Sequence, residues 1–396
     1  FNFFIVKNND LNAFAFFGGY IGLYSGLFLI ADNESELASV VAHEIAHVTQ
    51  RHLARAMQDM KKKQPLTTAT LLGSILLTII APEAGIAALA TTGAIAQQSS
   101  INHTRSHEIE ADALGMNTLV RANFNPQGAP SFFNKLSQKT RFANTPPQIL
   151  LTHPLPKSRI ETARNKAHQY INKPYYESKD FLLAKARIEV RFSHFTPEAI
   201  LMKYKKQAKN HQQNIRNSAQ YAIALALFEQ RKYKESEHIV NSLLKQDRGN
   251  LFFLDLKSDL ISKSRAYAQG IKLFEQQNTT KPNNLVIVTN LANLYIENKQ
   301  YKQAISLLER LAYTYKISPV VYRIMMQAYT KDRQQSKYHQ THARLLALSA
   351  QYSNAINELK KALSFIKGKD KNIESAIIKE EIKHLQEKSD IYKQLI

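Results

Sequence analysis

The chain has 396 residues, too many for one core of ordinary size, so two or three domains are expected. Its 44% hydrophobic and 21% charged content excludes wholesale disorder, and the lack of cysteine excludes disulfides, thiolate zinc sites and a cysteine nucleophile. The net charge of +21 is unevenly spread: residues 1–170 hold 15 Lys/Arg against 11 Asp/Glu, a net of +4, and the remainder 38 against 21, a net of +17.

Such a basic half could attract nucleic acid, anionic lipid or acidic protein. No arginine-rich run with interleaved aromatics is present, so no nucleic-acid partner is expected. The chain opens on Phe1 rather than Met, so a preceding segment is expected, of which a signal peptide could be part. The longest apolar run, LLGSILLTII at 71–80, is interrupted by Pro82 and Glu83. That is too short for a single helix to cross a bilayer, and the chain reads as soluble.

Residues 1–30 mix aromatic and β-branched residues around Gly18–Gly19 and predict short strands or a hairpin. Asn33 with Glu36 three residues later is an N-cap pair, and helical periodicity continues from there to about Lys63. Residues 65–97, a run of Leu, Ile, Ala and Thr broken at Pro82 and Gly85, predict two apolar helices. Two accounts fit that run: a buried hairpin, or a surface making peripheral contact with membrane or unfolded substrate. A polar helix over roughly 98–122 carries HEIEADALG, a third helix follows Pro130, and a proline-rich loop occupies 145–159. Residues 171–200 read as a linker.

Tyr233, Tyr267 and Tyr301 then recur at 34 residues, the tetratricopeptide period. Small residues follow at plus three (Ser236, Gly270, Ala304) and precede at minus nine (Ala224, Ser258, Ala292). Large ones stand at minus six (Leu227, Ile261, Tyr295), as helix pairs in close contact require. Tyr352, with Ala355 after it and Ala343 and Leu346 before it, reads as a fourth copy out of phase.

The chemistry centres on VVAHEIAHVTQ. His43 and His47 are four apart, so on a helix both imidazoles leave one face and can hold one ion. Zinc takes nitrogen and oxygen ligands in a tetrahedron, and Glu44 is placed to take a proton from an attacking water. A third ligand is available from Glu108 or Asp112, which share a helical face, whereas Glu110 points away at 100° per residue. One of the pair can bind metal while the other orients a ligand histidine. The stretch from Asn12 to Phe16 could pair with an extended peptide substrate by β-addition. His52, His103 and His107 fit no ligand geometry and are read as structural.

NAFAFFGGYIGLYSGL, ELASVVAHEIAHV, EIEAD and HPLPKSR, in that order over residues 1 to about 165, resemble the HExxH zinc metallopeptidases of the CAAX prenyl protease and HtpX type. Phe17 stands where such proteins usually carry proline before the double glycine, which puts the shape of that turn in doubt. The resemblance implies one zinc per chain on His43, His47 and Glu108, with Glu44 as general base and Asp112 orienting a ligand histidine. It also implies a place near the metal for His153 and an ion pair for Arg159. His153 could stabilise the oxyanion, or fill the fourth metal position and keep the enzyme latent.

The expected fold is mainly α: a zincin-like metallopeptidase domain with a small β-hairpin (1–170), a linker (171–200) and an α-solenoid of tetratricopeptide repeats (201–396). Members of the family with that architecture are periplasmic. By resemblance the partners are protein substrates, outer-membrane proteins and the β-barrel assembly machinery. The expected function is endopeptidase action on misfolded or misassembled envelope proteins. The alternative is a chaperone or scaffold for outer-membrane protein assembly with latent proteolysis.

Overall fold

The computed structural model describes residues 1–63, 105–142, 147–170, 174–314, 319–366 and 371–395. The apolar run at 65–97, with the membrane contact expected of it, and His103 lie outside the described residues. Among the described residues the fold is mainly helical with one small sheet, as the sequence predicts. Contacts divide the chain into two units, Phe1–Ala226 and Leu227–Ile396.

In the first unit, strands β1 (Asn2–Val6), β2 (Ala13–Phe16) and β3 (Tyr20–Tyr24) form a sheet of order β1-β3-β2. β2 runs antiparallel to β3 and β1 parallel to it. Gly18 and Gly19 both sit at φ 76° in the hairpin turn, a region where a Cβ is disfavoured. After the short α1 (Gly26–Ile30), helix α2 (Glu34–Thr49) starts at the expected cap: Asn33 Oδ1 accepts from the Glu36 amide at 2.9 Å. The Glu36 carboxylate reaches back to the Asp32 amide at 2.7 Å and accepts from Lys135 Nζ at 2.6 Å. Leu37 and Val40 pack with Leu11, Ile21, Leu27 and Phe132 into the core beneath the sheet.

The helix expected to run unbroken to Lys63 ends at Thr49. Arg51 enters the left-handed region at φ 54°, and α3 (His52–Lys63) starts in a new direction. Helices α4 (Arg105–Arg121) and α5 (Gly128–Phe142) lie against α2. Gly115 of α4 faces the His43 backbone so closely that a Cβ there would stand 3.2 Å from His43 Cα. That near-touch carries the acidic face of α4 to the histidines of α2. The short α6 (Gln148–Thr152) and α7 (Lys157–Ala167) follow.

The interval read as a linker holds α8 (Lys179–Phe192), whose Phe181 and Ile188 enter the same core as Leu37 and Phe132. Its start is locked to α2 by reciprocal capping. Glu177 accepts from the Glu34 amide at 2.6 Å, and Glu34 accepts from the Ser178 amide at 2.7 Å. α9 (Pro197–Gln207) and α10 (Gln213–Glu229) complete this stretch, and the boundary between the units falls inside α10.

The second unit continues with α11 (Tyr233–Gln246), α12 (Leu251–Ser264), α13 (Tyr267–Thr280), α14 (Leu285–Glu297), α15 (Tyr301–Thr314) and α16 (Pro319–Lys331). It closes with α17 (Gln335–Ala347), α18 (Tyr352–Ser364) and α19 (Lys371–Leu395). Each of the three spaced tyrosines opens a helix. At Gly270 a Cβ would stand 2.7 Å from Ile261, so only glycine fits there without repacking.

The fourth copy differs from the sequence reading. It continues in phase at Gln335, where α17 starts, and the helix opening at Tyr352 comes after it. The signal that persists is the interior column: Tyr329 follows Tyr295 by 34 residues and repeats its bond. Tyr295 donates to Glu275 at 2.6 Å, and Tyr329 to Glu309 at 2.8 Å. The hinge between paired helices recurs too, because Arg231, Arg265, Lys299 and Arg333 all sit at φ 57–63°.

Near the C-terminal end, Glu358 accepts from Lys361 at 2.7 Å and faces His339 Nδ1 at 2.7 Å and His342 Nδ1 at 3.0 Å. Burial raises its carboxyl, but these three partners outweigh that and hold it at about 2. A carboxyl depressed in the folded state contributes stability that is complete above its ordinary value and is lost as pH falls towards 2. Glu358→Gln is therefore expected to destabilise this unit by roughly 1–2 kcal/mol at pH 7, after allowing for the exposed Lys361. Calorimetry of the full chain should show that difference shrinking between pH 4.5 and 2; a constant difference would sink the assignment.

Candidate metal centre

His43 and His47 leave the same face of α2, one turn apart, with ring centroids 4.6 Å from each other. Their Nε2 atoms are 2.9 Å apart. Glu108, in the first turn of α4, brings Oε1 to 3.4 Å from His47 Nε2 and Oε2 to 3.5 Å from His43 Nε2. His153, immediately after α6, places Nδ1 3.1 Å from Glu108 Oε1 and 3.4 Å from His43 Nε2. These four residues offer one donor atom each, all within 4.8 Å of one another.

The spacing can be tested against zinc. Donors at about 2.05 Å in a tetrahedron stand about 3.3 Å from each other. With Oε1 as the Glu108 donor, four of the edges run from 2.9 to 3.4 Å, and all four donors lie within 4.8 Å of one another. Glu44 supplies a second observation. It is 1% exposed, neither carboxylate oxygen has a hydrogen-bond partner, and the one imidazole facing it, His153, holds Nε2 3.5 Å from Oε1. A buried carboxylate without a donor is unfavourable by several kcal/mol, and a cation among the neighbouring ligands would offset it. The donor set fits a divalent ion.

Asp112, one turn along α4 from Glu108, lies 3.0 Å from the other nitrogen of His43, Nδ1. Arg159 of α7 grips both acids. Its Nε and Nη2 donate to Asp112 at 2.7 and 2.8 Å, and its Nη1 stands 2.8 Å from Glu108 Oε2. The same Nη1 donates to the Pro154 carbonyl at 2.6 Å, which ties the His153 loop to the acids. Burial opposes charge on His43, but Asp112 and Glu108 prevail and push it up to about 10. Glu108 and Asp112 are held well below the ordinary carboxylate range: against burial, by His153 and His43 in the first case and by His43 and Arg159 in the second.

Seven of the eight residues singled out in the sequence converge here: His43, Glu44, His47, Glu108, Asp112, His153 and Arg159. Asn12 takes a different position. It is buried ahead of β2, its carbonyl accepting from the Tyr24 amide at 3.0 Å. β2 itself pairs only with β3 among the described strands and lies at an edge of the sheet.

Sequence reasoning missed His52. Its Nδ1 lies 2.8 Å from His47 Nδ1 and its Nε2 3.1 Å from Glu110 Oε2, while Arg55 donates to Glu110 at 2.7 Å. On one continuous helix His52 would stand about 140° around from His47 at 100° per residue. The left-handed Arg51 folds it back. No local signal announced that break, because the residue is neither glycine nor asparagine.

The profile described as peptidase family M48 matches residues 1–167, and a tetratricopeptide repeat profile matches 263–321. The chain is 41% identical to the "Beta-barrel assembly-enhancing protease" of Yersinia pestis over 371 residues, 93% of this chain and 75% of that one. With the protein of the same name from Escherichia coli K12 it shares 39% identity over 367 residues, again 93% and 75%. A shorter match, 32% over 154 residues, covers 38% of this chain and 41% of the "Mitochondrial metalloendopeptidase OMA1" of Saccharomyces cerevisiae.

Proposed function

The chain belongs to peptidase family M48 and is a metallopeptidase with tetratricopeptide repeats, and from that premise we propose a zinc-dependent endopeptidase of the bacterial periplasm. Its clients in this reading are misassembled outer-membrane proteins or components of their assembly machinery, which the names of the relatives support. The observation that supports the zinc assignment is the cluster of one donor atom each from His43, His47, Glu108 and His153 within 4.8 Å, with several separations between 2.9 and 3.4 Å.

When bound there, the ion supplies Lewis acidity that polarises a scissile carbonyl and makes a nearby water acidic near neutral pH. The chain's own groups do the rest. Glu44 accepts the proton of the attacking water and returns it to the leaving amine. Asp112 fixes the tautomer of His43 through Nδ1, so that Nε2 is left to donate its lone pair. Arg159 keeps both acids ionised and anchors Pro154. The edge strand β2 aligns the substrate backbone by β-addition. The repeat-bearing region selects the client, and its excess of Lys and Arg favours acidic surfaces.

His153 occupies the position a substrate carbonyl needs, so the resting enzyme is latent and cleavage requires the 153–156 loop to swing away. Elemental analysis should find one zinc per chain, lost in Glu108→Ala. Casein cleavage should rise several-fold in His153→Ala. Wild-type protein that takes up no zinc would overturn the metallopeptidase reading of these residues. Unchanged or lower cleavage by His153→Ala would overturn the latency alone.

A further inference from the structure

The groups behind His47 form a chain that the hydrolytic mechanism does not use. His52 is fully buried, and its two ring nitrogens are both within hydrogen-bond distance of other side chains, His47 Nδ1 at 2.8 Å and Glu110 Oε2 at 3.1 Å. Its ring stacks on that of His107, with centroids 4.4 Å apart and planes 12° from parallel, so its orientation is set from the side as well. Glu110 sits at the partly exposed end, where Arg55 donates to the same oxygen that faces His52.

An Nδ1-to-Nδ1 contact requires one ring to donate and the other to accept. His47 faces His43 and Glu108 through Nε2. As a metal ligand it must leave Nε2 unprotonated and carry its proton on Nδ1. The Nδ1–H of His47 then donates to His52 Nδ1. That leaves the proton of His52 on Nε2, from which it donates to the Glu110 carboxylate. Every bond in the row is satisfied by one arrangement of protons, with both rings neutral.

We propose that His52 and Glu110 are positioning residues for the metal, a histidine-bridged carboxylate relay that locks His47 in the Nδ1–H tautomer and aims its Nε2 lone pair at the ion. Ligand histidines ordinarily receive this support directly from a carboxylate, a carbonyl or water. His43 has the ordinary form, through Asp112. The support of His47 differs in passing through a second imidazole, and it depends on the left-handed Arg51 that turns His52 back. The inference rests on the assignment of His47 as a ligand.

The test compares zinc affinity of the full-length chain, by chelator competition, in wild type, His52→Leu and His52→Asn. Leucine keeps volume and removes the acceptor, and affinity should fall about 10- to 100-fold. Asparagine can present an oxygen where Nδ1 stood, so it should recover most of that loss, which a merely structural role would not produce. Ring nitrogen NMR on the zinc-loaded wild type supplies the second readout and needs no variant: His52 should carry its proton on Nε2 and His47 on Nδ1. Leucine at wild-type affinity, or a His52 proton on Nδ1, overturns the relay. A wild type that binds no zinc overturns the ligand assignment instead, which keeps the two failures apart.

Discussion

Glu44→Gln is expected to lower kcat/KM for casein by about 10³-fold while the chain keeps its zinc, because proton transfer by a placed side chain contributes on the order of 10²–10⁴. The amide matches the carboxylate in shape but cannot accept the proton. His43 and His47 lie on either side of Glu44 on the same helix, and their separations from Glu108 involve none of its atoms. The fold should not suffer either. Both Glu44 oxygens are buried without a hydrogen-bond partner, so in the metal-free chain an amide is easier to bury than a carboxylate. The thermal midpoint of the metal-free variant should equal or exceed that of wild type. Elemental analysis and a cleavage time course on the same preparation decide the matter. Retained cleavage would remove Glu44 from the proton path, and loss of zinc would mean that it holds the ion.

What could be read from the sequence divides by range. The i, i+4 histidines and the i, i+4 acids were legible because helical geometry fixes which side chains share a face, whatever lies around them. Glu108 and Asp112 could be nominated as ligands by the same geometry, but the contact that brings α4 to α2 could not be read, since nothing in the HEIEADALG stretch says that Gly115 presses on the His43 backbone. His52 was hidden by a different cause. Its approach to His47 depends on one left-handed residue, Arg51, of a type that gives no turn signal. The repeats show the same blindness. Arg231, Arg265, Lys299 and Arg333 take the conformation usually read from glycine, so the recurring hinge is invisible in composition. The fourth copy slipped because Gln335 stands where the spaced tyrosine would fall, while the recurring interior contact, Tyr329 to Glu309, spans 20 residues and joins different helices. Residues 179–192 looked patternless because six charged residues are interspersed among the eight apolar ones, which blurs the face that α8 turns into the core.

Arg159→Met is expected to be the most damaging single change to the first unit. Arg159 is 5% exposed; it donates three hydrogen bonds, two to Asp112 and one to the Pro154 carbonyl, and also faces Glu108 at 2.8 Å. Its guanidinium also lies 5.3 Å from the centre of the Phe133 ring. Methionine would keep much of the packing and leave two acids beside each other without their cation. Breaking a buried pair by removing one partner is unfavourable by about 3–5 kcal/mol. For a unit of this size each kcal/mol lowers the midpoint by about 2–4 °C, so the metal-free chain should melt roughly 10 °C lower. Zinc should return part of that loss, because binding to the folded state adds stability by mass action and the ion neutralises Glu108. Arg159→Lys should not restore the wild type, since a single ammonium cannot meet Asp112, Glu108 and the Pro154 carbonyl in the directions the fork does. The loss of the Pro154 bond has a functional corollary. With its loop untied, His153 should leave the cluster more readily, so at temperatures where the variant is still folded the fraction of open enzyme rises even as stability falls. Calorimetry with and without zinc, set beside cleavage well below the midpoint, separates the two effects. A midpoint within 2 °C of wild type would mean that the acids are neutralised by something other than Arg159.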